Sequence, residues 1–405
     1  MSVDGPTSEF ERENLNPYKQ ILRKAEQQHR LLSVHWELTY RCNERCTHCY
    51  LDVLSPGAHT PRELSTDQCL GVVDQLAELG ALNLTLSGGE FFVRRDWYEI
   101  ASYAREKKLC LRLFSNGVLI RPEIAERIAR LHPYAVEISL YSARAEVHER
   151  ITRTLHSWER TVRALRLLHK HGVRTVLKTP VMRENVYELE ALEALAQELG
   201  AQFRYDLSIT PKDSGALDPL KHRLTYDQMV WVMRKRANLQ GWVKDEIRPE
   251  WPTCGIATKA LVIDPYGNVF PCVEVRHSAG NVLQQSLKEI WETSPLWDNL
   301  NRLTLGNLPV CRDCELNRFC VRCHGLAMRE DGDLLGPARA NCLRGLALRQ
   351  ALIEKGELPG DYPIPAHLID VYHQLQPKLA ESSQEFSGMI LKSEFVRSPE
   401  LIRRS

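Results

Sequence analysis

Val34-His-Trp-Glu-Leu-Thr-Tyr40 runs directly into Arg41-Cys42-Asn-Glu-Arg-Cys46-Thr-His-Cys49-Tyr50. The first seven residues read as a strand, and the cysteines fall where a loop has to leave it. A short apolar run followed by a longer amphipathic stretch then recurs to about residue 210. Strands are expected at Val34 to Tyr40, Leu82 to Ser87, Leu109 to Phe114, Ala135 to Leu140, Val173 to Thr179 and Phe203 to Ser208. Helical patterns lie between them, such as Thr66 to Leu79 with Ser65 as N-cap, and Tyr187 to Leu199 stopped by Gly200. Six successive βα units imply parallel strands with right-handed crossovers, short of the eight that close a barrel. The expected fold is therefore α/β: an open, partial (β/α)6 TIM-like barrel followed by a small cysteine-rich α+β domain. In parallel sheets the chemistry belongs at the carboxyl ends of the strands, which is where Cys42, Cys46 and Cys49 sit.

Outward from that stretch, the 405 residues suffice for one large domain and a smaller one. The expected divisions are an extension over 1–33, the barrel over 34–210, a bridging segment over 211–250, a cysteine-rich domain over 251–345, and a helix and tail over 346–405. The bridging segment is rich in Lys, Asp and Pro, with one helix expected from Tyr226 to Asn238; the tail ends SPELIRRS. A formal net charge of +1 gives no global field for nucleic acid or anionic membrane. The polar start lacks the apolar core of a signal peptide, and no run is apolar enough to span a bilayer. A cytoplasmic location is expected.

Twelve cysteines fit a reducing compartment badly as disulfides and better as metal or cluster ligands. Three sit in the first loop and seven between Cys254 and Cys342, while Cys69 and Cys110 stand alone and read as small buried apolar residues. Three thiolates hold three irons of a 4Fe-4S cluster and leave the fourth open. An open iron can chelate the amine and carboxylate of a methionine moiety, so that an electron entering a sulfonium releases a primary carbon radical. The competing reading is a zinc site of three cysteines completed by His48. A second element, Ser87-Gly88-Gly89-Glu90, ends the second strand. Its glycines permit close backbone approach, and Glu90 offers an acceptor to an ammonium group.

Cys42-x3-Cys46-x2-Cys49 after the first strand and Gly88-Gly89-Glu90 after the second together resemble the radical S-adenosylmethionine (SAM) superfamily, with His48 in the place of the usual aromatic. The resemblance implies SAM as cofactor, bound through its methionine amine by Gly88, Gly89 and Glu90. It further implies cofactor contacts by Asn116 after the third strand, Ser139 and Tyr141 after the fourth, and Lys178 and Asn185 near the fifth. Each of these has an ordinary loop-capping alternative. Asp206 is the candidate catalytic group; it and Arg204 point oppositely from Tyr205 on the sixth strand, and a solvated salt link is the plainer reading.

The later cysteines resemble the SPASM domain, an auxiliary-cluster module. Carried over by position, Cys311, Cys314, Cys320 and Cys342 would close one cluster, and Cys254, Cys272 and Cys323 would hold another. The spacing of Cys320 and Cys323 is one residue shorter than the usual pattern. The second set lacks a fourth cysteine, since none lies from Gly255 to Pro271; Asp264 is a possible ligand but reads more naturally as a turn residue. Paired CxxC spacings also suit a zinc ribbon.

The resemblance thus implies three 4Fe-4S clusters and an enzyme that abstracts hydrogen from a peptide, ending in a thioether, a carbon-carbon crosslink or an oxidation. An implied partner is an electron donor such as flavodoxin or ferredoxin; because only about 33 residues precede the first strand, leader binding would need a separate leader-binding protein or another surface, such as the carboxyl-terminal tail. The alternatives are a radical enzyme acting on a small metabolite or tetrapyrrole, and a zinc-stabilised scaffold without activity. The remaining histidines read as core or surface.

Overall fold

The structure is a computed structural model that describes residues 20, 24–25, 28–236 and 247–375. Expectations for the first residues, for the end of the helix at Asn238 and for the tail lie outside the described residues. Six parallel strands form as the alternation requires: β1 Ser33–Glu37, β2 Asn83–Ser87, β3 Cys110–Ser115, β4 Ala135–Ser139, β5 Thr175–Pro180 and β6 Gln202–Asp206. They lie side by side in sequence order, as right-handed βα crossovers dictate. The helix Thr66–Glu78 opens on a full capping box between Ser65 and Gln68. Gly200 takes a φ of 67° after the helix Leu189–Glu198, a conformation open to glycine.

Strand alternation splits the sheet chemically. Trp36, Leu84, Leu86, Leu113, Ile138 and Leu177 on one face are fully buried and form the core with the surrounding helices. On the other face the register brings His35 beside Thr85, Thr85 beside Arg112, Phe114 beside Glu137, and Ser139 beside Lys178. A polar face at the centre of a protein is costly unless its groups are paired; the charged ones here are, while His35 Nε2 is buried without a hydrogen-bond partner. Glu137 binds both Arg112 and Lys178.

The cysteine-rich region is not a separate layer. Strand β7, Ala260–Ile263, pairs in parallel with β1, setting Leu261 beside Val34 and Ile263 beside Trp36. Strands β8, Asn268–Phe270, and β9, Gly280–Asn281, then extend a nine-stranded sheet in antiparallel fashion. Ile263, Val269, Trp291 and Trp297 therefore share one core with the barrel. The bridging segment is likewise packed and not a free linker. Its helix Tyr226–Arg236 buries Tyr226, Met229, Val230 and Met233 against Leu346, Ala347 and Ala351 of the helix Arg339–Glu354. Among the described residues no helix is long and apolar enough to cross a membrane.

Candidate active site

The cysteine loop is tied by its backbone to Leu54 and to the end of the helix Ala145–Thr152. Cys42 donates to the Leu54 carbonyl (2.9 Å), Arg45 to that of Thr152 (3.0 Å) and Thr47 to that of Ile151 (2.9 Å). Gly89 donates to the Thr39 carbonyl (2.8 Å) and Glu90 to that of Arg41 (2.9 Å). A Cβ on Gly88 would stand 2.3 Å from the Thr39 oxygen and one on Gly89 2.4 Å from the Arg41 oxygen. The close approach expected of these glycines is thus to the cysteine loop itself. Gly88, at φ 125°, adopts a backbone that side chains resist. The buried Glu90 carboxylate accepts from Ser115 Oγ (2.9 Å), Asn116 N–H (2.8 Å) and Phe92 N–H (3.3 Å). Burial outweighs these bonds and pushes its pKa up to about 7.

Asn116 ties the third loop to the first, its amide donating to Asn43 Oδ1 at 2.9 Å and lying 4.0 Å from Cys42 Sγ. Tyr141 Oη lies 3.7 Å from Cys46 Sγ, and Ser139 hydrogen-bonds to the same phenol. The Tyr141 ring meets His48 edge-on at 4.7 Å and stacks on His148 at 5.3 Å. Asn185 is fully engaged: its amide donates to the carbonyls of Tyr141 and Pro180, and its oxygen accepts from Met182 N–H. That is a loop-tying role. Lys178 pairs with Glu137 at 3.1 Å and stands 3.6 Å above the Phe114 ring. Asp206 is exposed and accepts from Ser208 N–H at 2.8 Å. Cys69 is buried against Leu64 and Arg94, and Cys110 is half-buried at the start of β3.

The cysteines of the second region gather into two sets. Burial pushes the Cys342 thiol well above its ordinary value, and the neighbouring thiols of Cys320, Cys311 and Cys314 push it further. Cys323, the N-cap of the helix His324–Asp331, has Cys254 among its electrostatic neighbours; Cys272 has Cys323 among its own. Asp264 is a turn residue, accepting from Tyr266 N–H, Asn268 N–H and Asn268 Nδ2.

One feature of this centre left no mark in the sequence. Glu37, wholly buried at the end of β1, accepts from Tyr40 Oη (3.0 Å) and Tyr50 Oη (2.8 Å) and pairs with Arg276 (2.7 Å). Arg276 also meets Asp213 (3.3 Å), which pairs with Arg329 (2.6 Å). This chain of ions joins the cysteine loop through Tyr50 to the segments that follow Cys272 and Cys323. His222, too, is more than core filling: its Nδ1 lies 2.5 Å from Glu184 Oε1 while its Nε2 is buried without a partner.

The residues present fit an iron-sulfur group at the first loop. Burial pushes Cys42 up to about 12 and Cys49 up to about 11, and it raises Cys46 well above its ordinary value; the Cys46 thiol also feels the other two. Glu44 Oε1, Thr47 Oγ1 and His48 Nδ1 are buried there without partners, as groups awaiting a ligand are. Among the described residues no three Cys, His, Asp or Glu side chains converge tightly enough for a single metal ion.

The family model of the radical SAM superfamily matches residues 36–196, and that of the SPASM iron-sulfur cluster-binding domain matches residues 254–315. The chain is 32% identical over 305 residues to the mycofactocin maturase MftC of Mycolicibacterium smegmatis, covering 68% of this chain and 76% of that one. It is 29% identical over 334 residues to the AdoMet-dependent heme synthase of Methanosarcina barkeri, covering 75% and 93%. Among solved structures, Streptococcus suis SuiB bound to precursor peptide SuiA is similar with a TM-score of 0.60 at 15% identity over 80% of each chain, a likeness of fold.

Proposed function

The chain belongs to the radical SAM superfamily, in its SPASM branch, and from that premise we propose that it is a peptide maturase that uses the 5'-deoxyadenosyl radical to take hydrogen from a peptide. The observation that carries this reading is the knitting of the Cys42-Cys46-Cys49 loop to Gly88-Gly89-Glu90 and Asn116 by hydrogen bonds at the carboxyl ends of β1, β2 and β3. When bound, a 4Fe-4S cluster on those three thiolates supplies the electron that cleaves SAM. The chain's own groups do the rest. Buried Glu90 receives the methionine amine, whose positive charge offsets the cost of keeping a carboxylate dry. Asn116 and Tyr141 hold the loop against the mouth of the sheet. The polar face with Lys178 and Glu137 lines the space in which substrate is held.

Cys311, Cys314, Cys320 and Cys342 on one side, and Cys254, Cys272 and Cys323 on the other, hold two auxiliary clusters in this reading, making three in all. A low-potential donor of the flavodoxin or ferredoxin class supplies the electron, a separate protein presents the leader of the peptide, and the setting is cytoplasmic. The peptide class is supported by the relatives, since one is a maturase and a fold neighbour holds a precursor peptide. A second reading, a tetrapyrrole substrate, is supported by the likeness to a heme synthase along 93% of that enzyme. Anaerobic turnover with peptides encoded beside the gene, and in parallel with tetrapyrroles, separates the two. The peptide reading predicts substrate-dependent deoxyadenosine and a mass change in a peptide; a mass change in tetrapyrrole alone would overturn it.

A further inference from the structure

The set Cys254, Cys272 and Cys323 offers three thiolates where a saturated 4Fe-4S cluster needs four ligands. Resting on the three-cluster reading above, we propose that the carboxylate of Glu274 is the fourth ligand. Cys272 forms a β-bridge with Val275, and this tight turn holds Glu274 against Cys272, with its N–H donating to the Cys272 thiol. On the other side, a Cβ added to Gly325 would stand 2.2 Å from Glu274 Cβ, so the first turn after Cys323 rests on Glu274 itself. Glu274 therefore lies between the segments that carry two of the three cysteines, and its charge bears on both thiols.

Its outer oxygen is ion-paired with Arg329 but accepts no hydrogen bond. Arg329 Nε stands 3.2 Å from Glu274 Oε2, yet four of the five guanidinium hydrogens are engaged elsewhere. Nε donates to the Glu274 carbonyl (2.9 Å), Nη1 to that of Pro211 (3.0 Å), and Nη2 to Asp213 (2.6 Å) and the Val273 carbonyl (2.9 Å). Glu274 Oε2 is left buried with no hydrogen-bond partner. The other oxygen and nitrogen donors nearby are occupied. Asp264 accepts three hydrogen bonds within its turn, and both ring nitrogens of His324 are engaged, Nε2 with Thr253 Oγ1 (2.5 Å) and Nδ1 with the Leu334 carbonyl (3.1 Å). An oxygen of Glu274 on the fourth iron closes the cluster to substrate and fits it for electron relay, with no covalent step at that iron.

The test uses the full chain carrying C42A, C46A and C49A, so that only auxiliary clusters contribute. Glu274→Ala opens one iron; on ferricyanide oxidation it is lost, giving a 3Fe-4S signal by electron paramagnetic resonance. We expect iron loss to be at least about tenfold faster than in the parent, the scale on which ligand-shell changes act. Glu274→Cys, which restores a fourth ligand, should return the loss to the parent rate and change the spectrum and the midpoint potential of one cluster only. Equal iron loss and identical spectra in the parent and Glu274→Ala would overturn the ligand while leaving the clusters in place. A C254A/C272A/C323A variant that binds as much iron as the parent would instead overturn the cluster reading beneath it.

Discussion

The two cysteine regions are held by different means. The first loop is built by the barrel: backbone hydrogen bonds from Cys42, Arg45, Thr47, Gly89 and Glu90 fix it to Leu54, to a helix end and to the turn after β2, and a continuous apolar core lies beneath. Cys311, Cys314 and Cys320 instead sit on or beside the short 3-10 turns Cys311–Asp313 and Glu315–Arg318, which Leu316 and Phe319 anchor to a second, smaller apolar cluster with Leu346 and Ala347. A protein-built loop should survive loss of its iron, whereas turns of three and four residues need a ligand to hold them. In the proposed reading, the difference makes one region a preformed receptor and the other a metal-dependent fold.

The comparison breaks most sharply under metal removal. Stripping iron and sulfide should abolish amide protection across 304–345 and leave β1 to β5 protected in hydrogen exchange, since structural metals contribute on the order of 10 kcal/mol to the segments they organise. Equal loss in both regions would mean the barrel loop is metal-built as well. Next in size is the ion chain that joins them. Arg276→Met strands Glu37 in a wholly buried site and should cost about 3–5 kcal/mol in denaturant unfolding of the loaded protein. An unchanged midpoint would show that the regions are not coupled through Glu37.

A smaller effect sharpens the receptor half of the comparison. Glu90→Gln keeps the shape but removes the charge offered to an amine. SAM affinity should fall about 10–100-fold, the worth of a charge-assisted hydrogen bond, with iron content unchanged. Equilibrium dialysis reads it, and unaltered affinity would remove Glu90 from the cofactor site. The smallest effect concerns pH. Burial raises Glu44 from 4.5 to about 8 and Glu90 to about 7. For carboxyls raised on folding, the folded state binds protons that the unfolded chain has released. Their stabilisation is therefore complete below about pH 4.5 and is lost as pH climbs through 7 to 8. After relaxation this leaves on the order of 1–2 kcal/mol, so the iron-free protein should melt lower at pH 9 than at pH 5. Glu44→Gln should flatten that slope; a slope unmoved by the substitution would place its origin elsewhere.

The barrel was legible because a sheet with one apolar and one polar face writes a period of two into every strand; β2 to β6 lie within one or two residues of the expected stretches, and β1 ends three residues early, at Glu37. The attachment of β7 to β1 was not legible. Ala-Leu-Val-Ile is four residues long and carries no sign of which edge it joins. The helix Arg339–Glu354 escaped notice before Gly345 because it is packed nearly all round, burying Asn341, Gly345 and Arg349 with its leucines, and so shows no stripe. At the site, the cysteine spacing and the Gly-Gly-Glu turn announced themselves locally. Glu37 and Arg276 could not, being 239 residues apart and paired only by the fold. His222 and Glu184, 38 residues apart, were hidden for the same reason.

The central claim is radical chemistry at the Cys42-Cys46-Cys49 loop. Deoxyadenosine formed from SAM under a low-potential reductant should be measured after anaerobic reconstitution, in the unsubstituted chain and in the C42A/C46A/C49A variant, beside iron and sulfide content. The account predicts about twelve irons in the first, about four fewer in the second, and deoxyadenosine from the first alone. Zinc without sulfide, or no deoxyadenosine from a fully loaded chain, would contradict it.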